Sequence, residues 1–335
     1  MTDETRRERI LITGATGFLG GALCSALFKA RRTIMATGRD AVNLAALSSN
    51  NFDTVALDLA EPFSAETLLN LQGVTSIVHC AALSSPWGRP ADFDRANVMA
   101  TTNLIALAKQ IGVSRFVQIS SPTVYFQFAD QINVSEQMAL PSPVNDYART
   151  KREAELAVLA TPEIGPIVLR PRGIYGEGDT SLLPRLVRAA RAGPLPLFRD
   201  GVAQTDITHV EDVVSAIIAA LDAPAAVNGE IFNISSGEPL ALYTIVERAC
   251  AFAGVVPRWQ TMPVRPALMA ARVLETACRF MPRYPEPRVT AYSLGILAYS
   301  QTLDISKAAQ MLKWQPRINF DKGIASTFVA RSNST

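Results

Sequence analysis

The feature that most constrains this chain is a rhythm. Through its first half, short β-rich apolar runs alternate with helical stretches, and the first crossover carries Thr13-Gly14-Ala15-Thr16-Gly17-Phe18-Leu19-Gly20. Residues 9–13, 33–37, 53–57, 76–80, 116–120 and 167–170 read as strands. Residues 18–30, 92–111 and 146–159 read as the helices between them. Connections of this length return the chain parallel to its previous strand by a right-handed crossover. The expected fold is therefore α/β, a Rossmann-type doubly wound parallel sheet covered on both faces. Ligands of such sheets bind beyond the carboxyl ends of the strands. Four polar or glycine-rich segments fall there: 14–20, 81–85, 120–123 and 171–178.

After Arg172 the rhythm changes to a proline- and glycine-rich stretch. It holds helical segments 182–191 and 210–221, a strand-like 230–234 and a mostly helical final third. Residues 1–172 are expected to form the dinucleotide-binding domain, with segments near 205–235 returning to it. The rest of 173–335 reads as a smaller, mostly helical substrate lobe.

With 335 residues, 48% hydrophobic and 19% charged, the composition is that of a globular protein. A net charge of +2 offers no basic field for nucleic acid and no acidic tail. Four scattered cysteines and two histidines match no metal spacing, so no metal is expected and the cysteines read as reduced thiols. Residues 1–9 lack the apolar core of a signal peptide, and a cytoplasmic location is expected. The most apolar stretch, 266–281, is too short to span a bilayer and is interrupted by Arg272, Glu275 and Arg279. Together with Arg265 these form one polar stripe on an otherwise apolar helix. That pattern suits a surface helix on a core, a substrate lid or a peripheral membrane contact.

Glycines at 14, 17 and 20, after a strand and before a helix, allow a tight turn and close approach of a pyrophosphate to the helix N-terminus. An NAD site typically places an acid roughly twenty positions further on. Gly38 stands there, followed by Arg39. A guanidinium suits a 2′-phosphate, which favours NADP(H); Asp40 keeps NAD(H) possible. Asp58-Leu59 follows the third strand and can serve the adenine, or simply make a turn.

Tyr147 and Lys151, four apart, share one helix face. A hydride arriving at a carbonyl carbon leaves charge on oxygen, and a phenol can supply the proton. The Lys151 ammonium is expected to favour the phenolate by direct charge. A serine at the end of the fifth strand, in Ser120-Ser121, can donate to the same oxygen.

Further pieces are His79-Cys80-Ala81-Ala82, Asn97-Val98, Ser121-Pro122-Thr123-Val124-Tyr125, Leu169-Arg170-Pro171-Arg172-Gly173-Ile174-Tyr175-Gly176, His209-Val210-Glu211-Asp212 and Phe232-Asn233-Ile234-Ser235. In this order, over nearly the whole chain, they resemble an extended short-chain dehydrogenase/reductase, of the NAD-dependent epimerase/dehydratase superfamily. The resemblance implies Ser121, Tyr147, Lys151 and Asn97 as catalytic residues, with Lys151 also on the nicotinamide ribose. It implies a cofactor site of Gly14, Thr16, Gly17, Phe18, Leu19, Gly20, Arg39, Asp58, Leu59, Ala81, Ala82, Pro171 and Gly173. It also implies a homodimer through 92–111 and 146–159.

Nucleotide-sugar members carry a diphosphate-gripping arginine where Thr205 stands here; Arg185, Arg188 and Arg191 can substitute or can be a solvated face. The aromatic segments 84–88 and 120–126 and the tail 300–307 resemble the 3β-hydroxysteroid dehydrogenase-like and β-keto-acid reductase branch. Ser84, Trp87, Ser121, Thr123 and Tyr175 are the substrate contacts expected on that basis. The reaction implied is interconversion of a lipophilic ketone and a secondary alcohol. A nucleotide-sugar epimerase or dehydratase and a non-catalytic dinucleotide sensor are the alternatives.

Overall fold

The computed structural model describes residues 8–48 and 53–329, so the start of the polar N-terminal stretch, residues 1–7, lies outside the described residues. Seven strands form one sheet: β1 (Ile10–Thr13), β2 (Ile34–Gly38), β3 (Asp53–Ala56), β4 (Ser76–His79), β5 (Arg115–Ile119), β6 (Pro166–Pro171) and β7 (Ile231–Ile234). Their order is β7-β6-β5-β4-β1-β2-β3, with every neighbouring pair parallel. The order reverses between β1 and β4, which opens a crevice at their carboxyl ends.

Strands β1, β4 and β5 are buried along their whole length, because helices cover both faces. On one face, helices Phe18–Lys29 and Val210–Leu221 pack Leu23, Leu27, Val213 and Ile217 against the sheet. On the other, Ala100–Ile111 and Asp146–Leu159 bring Leu104, Leu107 and Val158. The expected helix over 92–111 is in fact composite. Helix Pro90–Phe93 runs into a π-helical turn, Asp94–Met99, before Ala100–Ile111. Such wider turns recur at functional positions, and here Asn97, within the wide turn, is only 2% exposed.

Three strands of the later half join Gln131–Val134 in a second small sheet, of order Leu240–Ala241, Gln204–Thr205, Gln301–Leu303 and Gln131–Val134. The tail 300–307, expected to be helical, therefore begins as a strand. Two to four residues per strand are too few for a periodic pattern, and only pairing defines them. Helices Leu183–Ala192, Leu242–Phe252, Val264–Phe280, Ala291–Ala298 and Phe320–Val329 complete this half. These helices build two apolar clusters separate from those of the large sheet, while Ala308, Leu312 and Trp314 join the large-sheet cluster.

Candidate active site

The glycine loop lies over the crevice between β1 and β4. Gly14 has φ +65, and a side-chain carbon there would come within 2.8 Å of the Ala81 backbone, on the loop after β4. At Gly20 it would meet the Gly14 carbonyl oxygen at 2.2 Å. Bare backbone is thus what lets the two loops and the helix start close together. Gly17 is the N-cap of helix Phe18–Lys29, with no side chain bonded to the helix's first N–H groups. The positive end of the helix is left open to an anion, so the loop fits the pyrophosphate of a dinucleotide. Phe18 packs beside Gly178, and Thr16 beside Gly38. Leu19 and Leu59 are turned into the apolar clusters on opposite faces of the sheet. Pro171 ends β6, and Gly173, at φ +46, follows it with Ile207 against its α-carbon.

At the far end of the crevice, Arg39 is exposed after β2. The Asp40 carboxylate caps the next helix, Ala41–Ser48. It accepts from the Val42 and Asn43 backbone at 2.9 and 3.2 Å and from the Asn43 side chain at 2.6 Å. Asp58 accepts from the Ala60 N–H at 3.0 Å and pairs with Arg95 at 2.7 Å. Its carboxyl is held below the ordinary range by that backbone bond first, then by Arg95 and by the nearby charge of Arg39. Two guanidiniums therefore gather around one carboxylate here.

The catalytic candidates converge at the carboxyl end of β5. Asn145 caps helix Asp146–Leu159 by accepting from the Ala148 N–H at 2.8 Å. This fixes Tyr147 in the first turn. Burial raises the Tyr147 pKa, while hydrogen bonds with Ser84 and Ser121 pull it back down. Lys151 is 4% exposed and donates to the Ile119 carbonyl at 2.8 Å. Burial brings its pKa down to about 8, with Glu155 acting in the opposite sense. The Lys151 ammonium is turned toward the carboxyl end of β5. The ammonium is tied to the β5 carbonyl, burial dominates at Tyr147, and the charge of Lys151 is felt by His79 and Cys80.

Ser121, not Ser120, faces the tyrosine. Ser121 also bonds Thr123 (Oγ–Oγ1 2.9 Å), whereas Ser120 is buried with its hydroxyl unpartnered among the described residues. Asn97 does not reach the Tyr147 hydroxyl by any bond found here. It clamps the surrounding elements instead. Its Oδ1 accepts from the Leu83 N–H at 2.7 Å, and its Nδ2 donates to Thr150 Oγ1 at 2.9 Å and to the Leu83 carbonyl at 3.3 Å. The loop carrying Ala81, Ala82 and Ser84 is thereby fixed to the helix carrying Tyr147.

His79 ties β1, β4 and the π-helical turn together. Thr101 donates to the Asn97 carbonyl at 2.5 Å, so the His79 Nε2–H donates to Thr101 at 3.1 Å. The Thr13 hydroxyl then donates to His79 Nδ1 at 2.7 Å and accepts from the Ala81 N–H at 3.2 Å. Burial and the charge of Lys151 push the imidazole down to about 3, so it stays neutral as this chain of bonds requires.

At the start of the helix carrying Tyr147, a cavity of about 120 Å³ is lined by Asn145 and Asp146 together with Trp87, Phe93, Phe128, Arg272, Tyr284 and Tyr292. Trp87 stacks on Tyr284 at 5.0 Å between ring centroids, and its indole N–H has no partner among the described residues. Tyr292 bonds Thr123 at 2.9 Å, extending a hydroxyl line from Ser121 through Thr123. Its approach was invisible in the sequence, since it arrives from 169 residues away.

Tyr175 must be removed from the expected substrate contacts. It is 1% exposed, packed edge-on against His209 and Phe320 inside a separate apolar cluster. Thr205 holds a surprise of the opposite kind. An arginine does arrive there, but from Arg172, whose Nε donates to Thr205 Oγ1 at 3.0 Å and whose Nη1 donates to Gln301 at 2.5 Å. Arg185 pairs with Glu286, while Arg188 and Arg191 bond backbone carbonyls on exposed surface.

A Rossmann-type sheet, a glycine loop at its switch point and a serine–tyrosine–lysine group beside that loop define an NAD(P)-dependent enzyme of the extended short-chain dehydrogenase/reductase type. The chain belongs to the NAD dependent epimerase/dehydratase family, whose model matches residues 10–235. It is 32% identical to "Uncharacterized protein YbjS" of Escherichia coli (strain K12), over 95% of this chain and 96% of that one. It is 30% identical to the 2-alkyl-3-oxoalkanoate reductase of Stenotrophomonas maltophilia (strain K279a), over 94% of this chain and 97% of that one. Among solved structures it is similar to MoeE5 in complex with UDP-glucose and NAD. The TM-score is 0.74 at 26% identity, covering 97% of this chain and 99% of that one.

Proposed function

We propose that this chain is an NADP(H)-preferring oxidoreductase that interconverts a ketone and a secondary alcohol on a lipophilic substrate, in the reductive direction. The observation that carries this reading is the placement of Tyr147. Ser84 and Ser121 act on its hydroxyl at the carboxyl edge of the sheet, and its helix starts at the lining of an aromatic cavity. Bound there, the nicotinamide would supply the hydride. Tyr147 gives its proton to the ketone oxygen, and Ser121 donates a hydrogen bond to the charge that develops on it. Lys151 holds the ribose hydroxyls of the nicotinamide half, and Asn97 keeps the loop and helix in register.

The loop Gly14–Gly20, with Ala81, Ala82, Pro171 and Gly173, cradles the rest of the dinucleotide. Arg39 takes the 2′-phosphate. The preference for NADP(H) is supported by the exposed Arg39 after β2, beside an Asp40 carboxylate that is engaged in capping a helix. Ser84, Trp87 and Thr123 contact the substrate, joined by Tyr292. The segments after 172 form the substrate lobe, except Val210–Leu221, β7 and the stretch 305–314, which pack on the large sheet. The outer faces of the dimer helices of this reading expose Met99 and Leu156, the side chains a second copy would cover.

The name of the Stenotrophomonas relative supports a keto-acid or similar ketone. A nucleotide-sugar reading is favoured by one observation, the arginine delivered to Thr205. That guanidinium is already bonded to Thr205 and Gln301, which leaves it less free to grip a diphosphate.

The test follows absorbance of NADPH and NADH with long-chain β-keto acids, 3-ketosteroids and UDP-glucose. Net oxidation of NADPH by a lipophilic ketone is expected, and Arg39→Ala should raise the KM for NADPH far more than for NADH. Isomerisation of the sugar without net oxidation would overturn the reaction assigned. An equal effect of Arg39→Ala on both cofactors would overturn the cofactor preference alone.

A further inference from the structure

Helix Val264–Phe280 carries two apolar faces. Ala267, Leu268, Ala271 and Cys278 are buried against the rest of the lobe. At 3.6 residues per turn, Pro266, Met269, Val273, Ala277 and Phe280 line up on the opposite side. There Met269 is 68% exposed, Val273 70% and Phe280 87%. Met262 before the helix, with Met281 and Val289 after it, extends this exposed apolar surface. A single exposed apolar side chain is ordinary on a globular protein, but a contiguous run of large ones marks an interaction surface.

The charge around this surface has one sign. Between residues 258 and 288 the chain has six arginines and two glutamates. Arg265, Arg272 and Arg279 recur every seven residues along one flank of the helix, and Arg283 and Arg288 follow. All five are exposed, and among the described residues none is paired with a carboxylate. The two glutamates are occupied: Glu275 accepts from the Ala291 N–H at 2.8 Å, and Glu286 pairs with Arg185 at 3.0 Å. An outward apolar stripe edged by arginines is the pattern of a helix lying in the plane of a lipid interface. A second copy of this chain fits poorly, because a two-fold contact would set the arginine row against itself with no acid to meet it.

The helix also reaches the aromatic cavity at the start of the helix carrying Tyr147. The arginine flank of Val264–Phe280 supplies Arg272 and Arg279 to the lining of that cavity. Arg279 lies over the Trp87 ring and Arg272 over Phe128, at 5.7 and 5.1 Å. Arg283 and Tyr284 adopt positive φ in the turn that follows, and Tyr284 stacks on Trp87.

We propose that helix Val264–Phe280 and the turn after it dock this protein on an anionic lipid surface, with the wall of the aromatic cavity at the interface. No helix among the described residues is long and apolar enough to cross a membrane. The contact is therefore peripheral: the apolar stripe enters the acyl boundary and the arginines meet phosphate headgroups. This assignment does not depend on the reaction catalysed, and its test reads binding alone.

The full chain is mixed with phosphatidylcholine vesicles, with or without phosphatidylglycerol, and sedimented. Binding to the anionic vesicles is expected, weaker to neutral ones and falling as salt rises. Combined Val273→Ser and Phe280→Ser should lower the partition about tenfold or more. Arg265→Gln should lower it roughly fivefold, on anionic vesicles only. Light scattering of the same samples reports the oligomeric state, and unchanged circular dichroism and dinucleotide binding show that the variants are folded. Absence of vesicle binding would overturn the proposal, as would binding that survives the double substitution. Self-association abolished by that substitution, with no vesicle binding, would give the surface to a second copy instead.

Discussion

Tyr147, Ser121 and Lys151, the proposed catalytic residues, are set by where their neighbours hold them. Burial raises the Tyr147 pKa and so favours the phenol, the form that would give a proton to a ketone oxygen in the proposed reaction. Lys151, brought down to about 8 by burial, carries its charge below that pH and loses it above. Tyr147→Phe should therefore cost about 10²–10⁴-fold in turnover while dinucleotide binding, followed by NADPH fluorescence, stays nearly intact. In the unsubstituted enzyme, kcat/KM for the ketone should fall as pH rises through about 8. A profile flat up to the ordinary lysine range would show that Lys151 keeps its charge there. The residue types and spacing of this group were legible in the sequence, because the chemistry demands them. The direction of the Lys151 ammonium was not, because it depends on a carbonyl 32 residues away.

At the scale of elements, the helix Asp146–Leu159 is held from below by a buried ion pair. Glu155, one turn past Lys151, receives Arg170 of β6 through its Nε at 2.9 Å and through a second bond from Nη2. Arg170 also lies over the Tyr125 ring at 4.6 Å and bonds its hydroxyl, which in turn donates to Asn233 of β7 at 3.0 Å. Removing one member strands the other charge in an apolar setting. Glu155→Ala should cost about 3–5 kcal/mol in a urea titration; a loss under about 1 kcal/mol, the range of surface pairs, would show that solvent replaces the carboxylate. The elements themselves were largely readable. The strands of the first half are continuous apolar runs set between helical stretches, and their ends differ from expectation by a residue or two. The π-helical turn at Asp94–Met99 was not readable, since a single wider turn leaves the apolar spacing almost unchanged.

For the whole molecule, the last residues of the described chain fasten both halves. Gln301–Leu303 pairs with Gln131–Val134 and with Thr205. Trp314 enters the main cluster against the sheet, and its indole donates to Ser215 at 2.7 Å. The Asp212 carboxylate accepts from the Arg317 and Ile318 backbone at 2.9 and 3.0 Å. Deleting residues 300–335 should therefore abolish dinucleotide binding and soluble expression together, although the glycine loop lies at the other end of the chain. A truncated protein that eluted as a compact species and still quenched with NADPH would contradict this coupling.

By itself the sequence determined the α/β alternation and the glycine loop, and it named the serine, tyrosine and lysine of the candidate site. Each of these is written in local periodicity or in the stereochemistry of a few neighbouring residues. Only the tertiary structure decided that Tyr175 belongs to a core, that Arg172 reaches Thr205, that Tyr292 completes the hydroxyl line, and that helix Val264–Phe280 leaves an apolar face uncovered. Those outcomes rest on contacts between segments far apart in the chain, whose partners are chosen by packing and not by spacing.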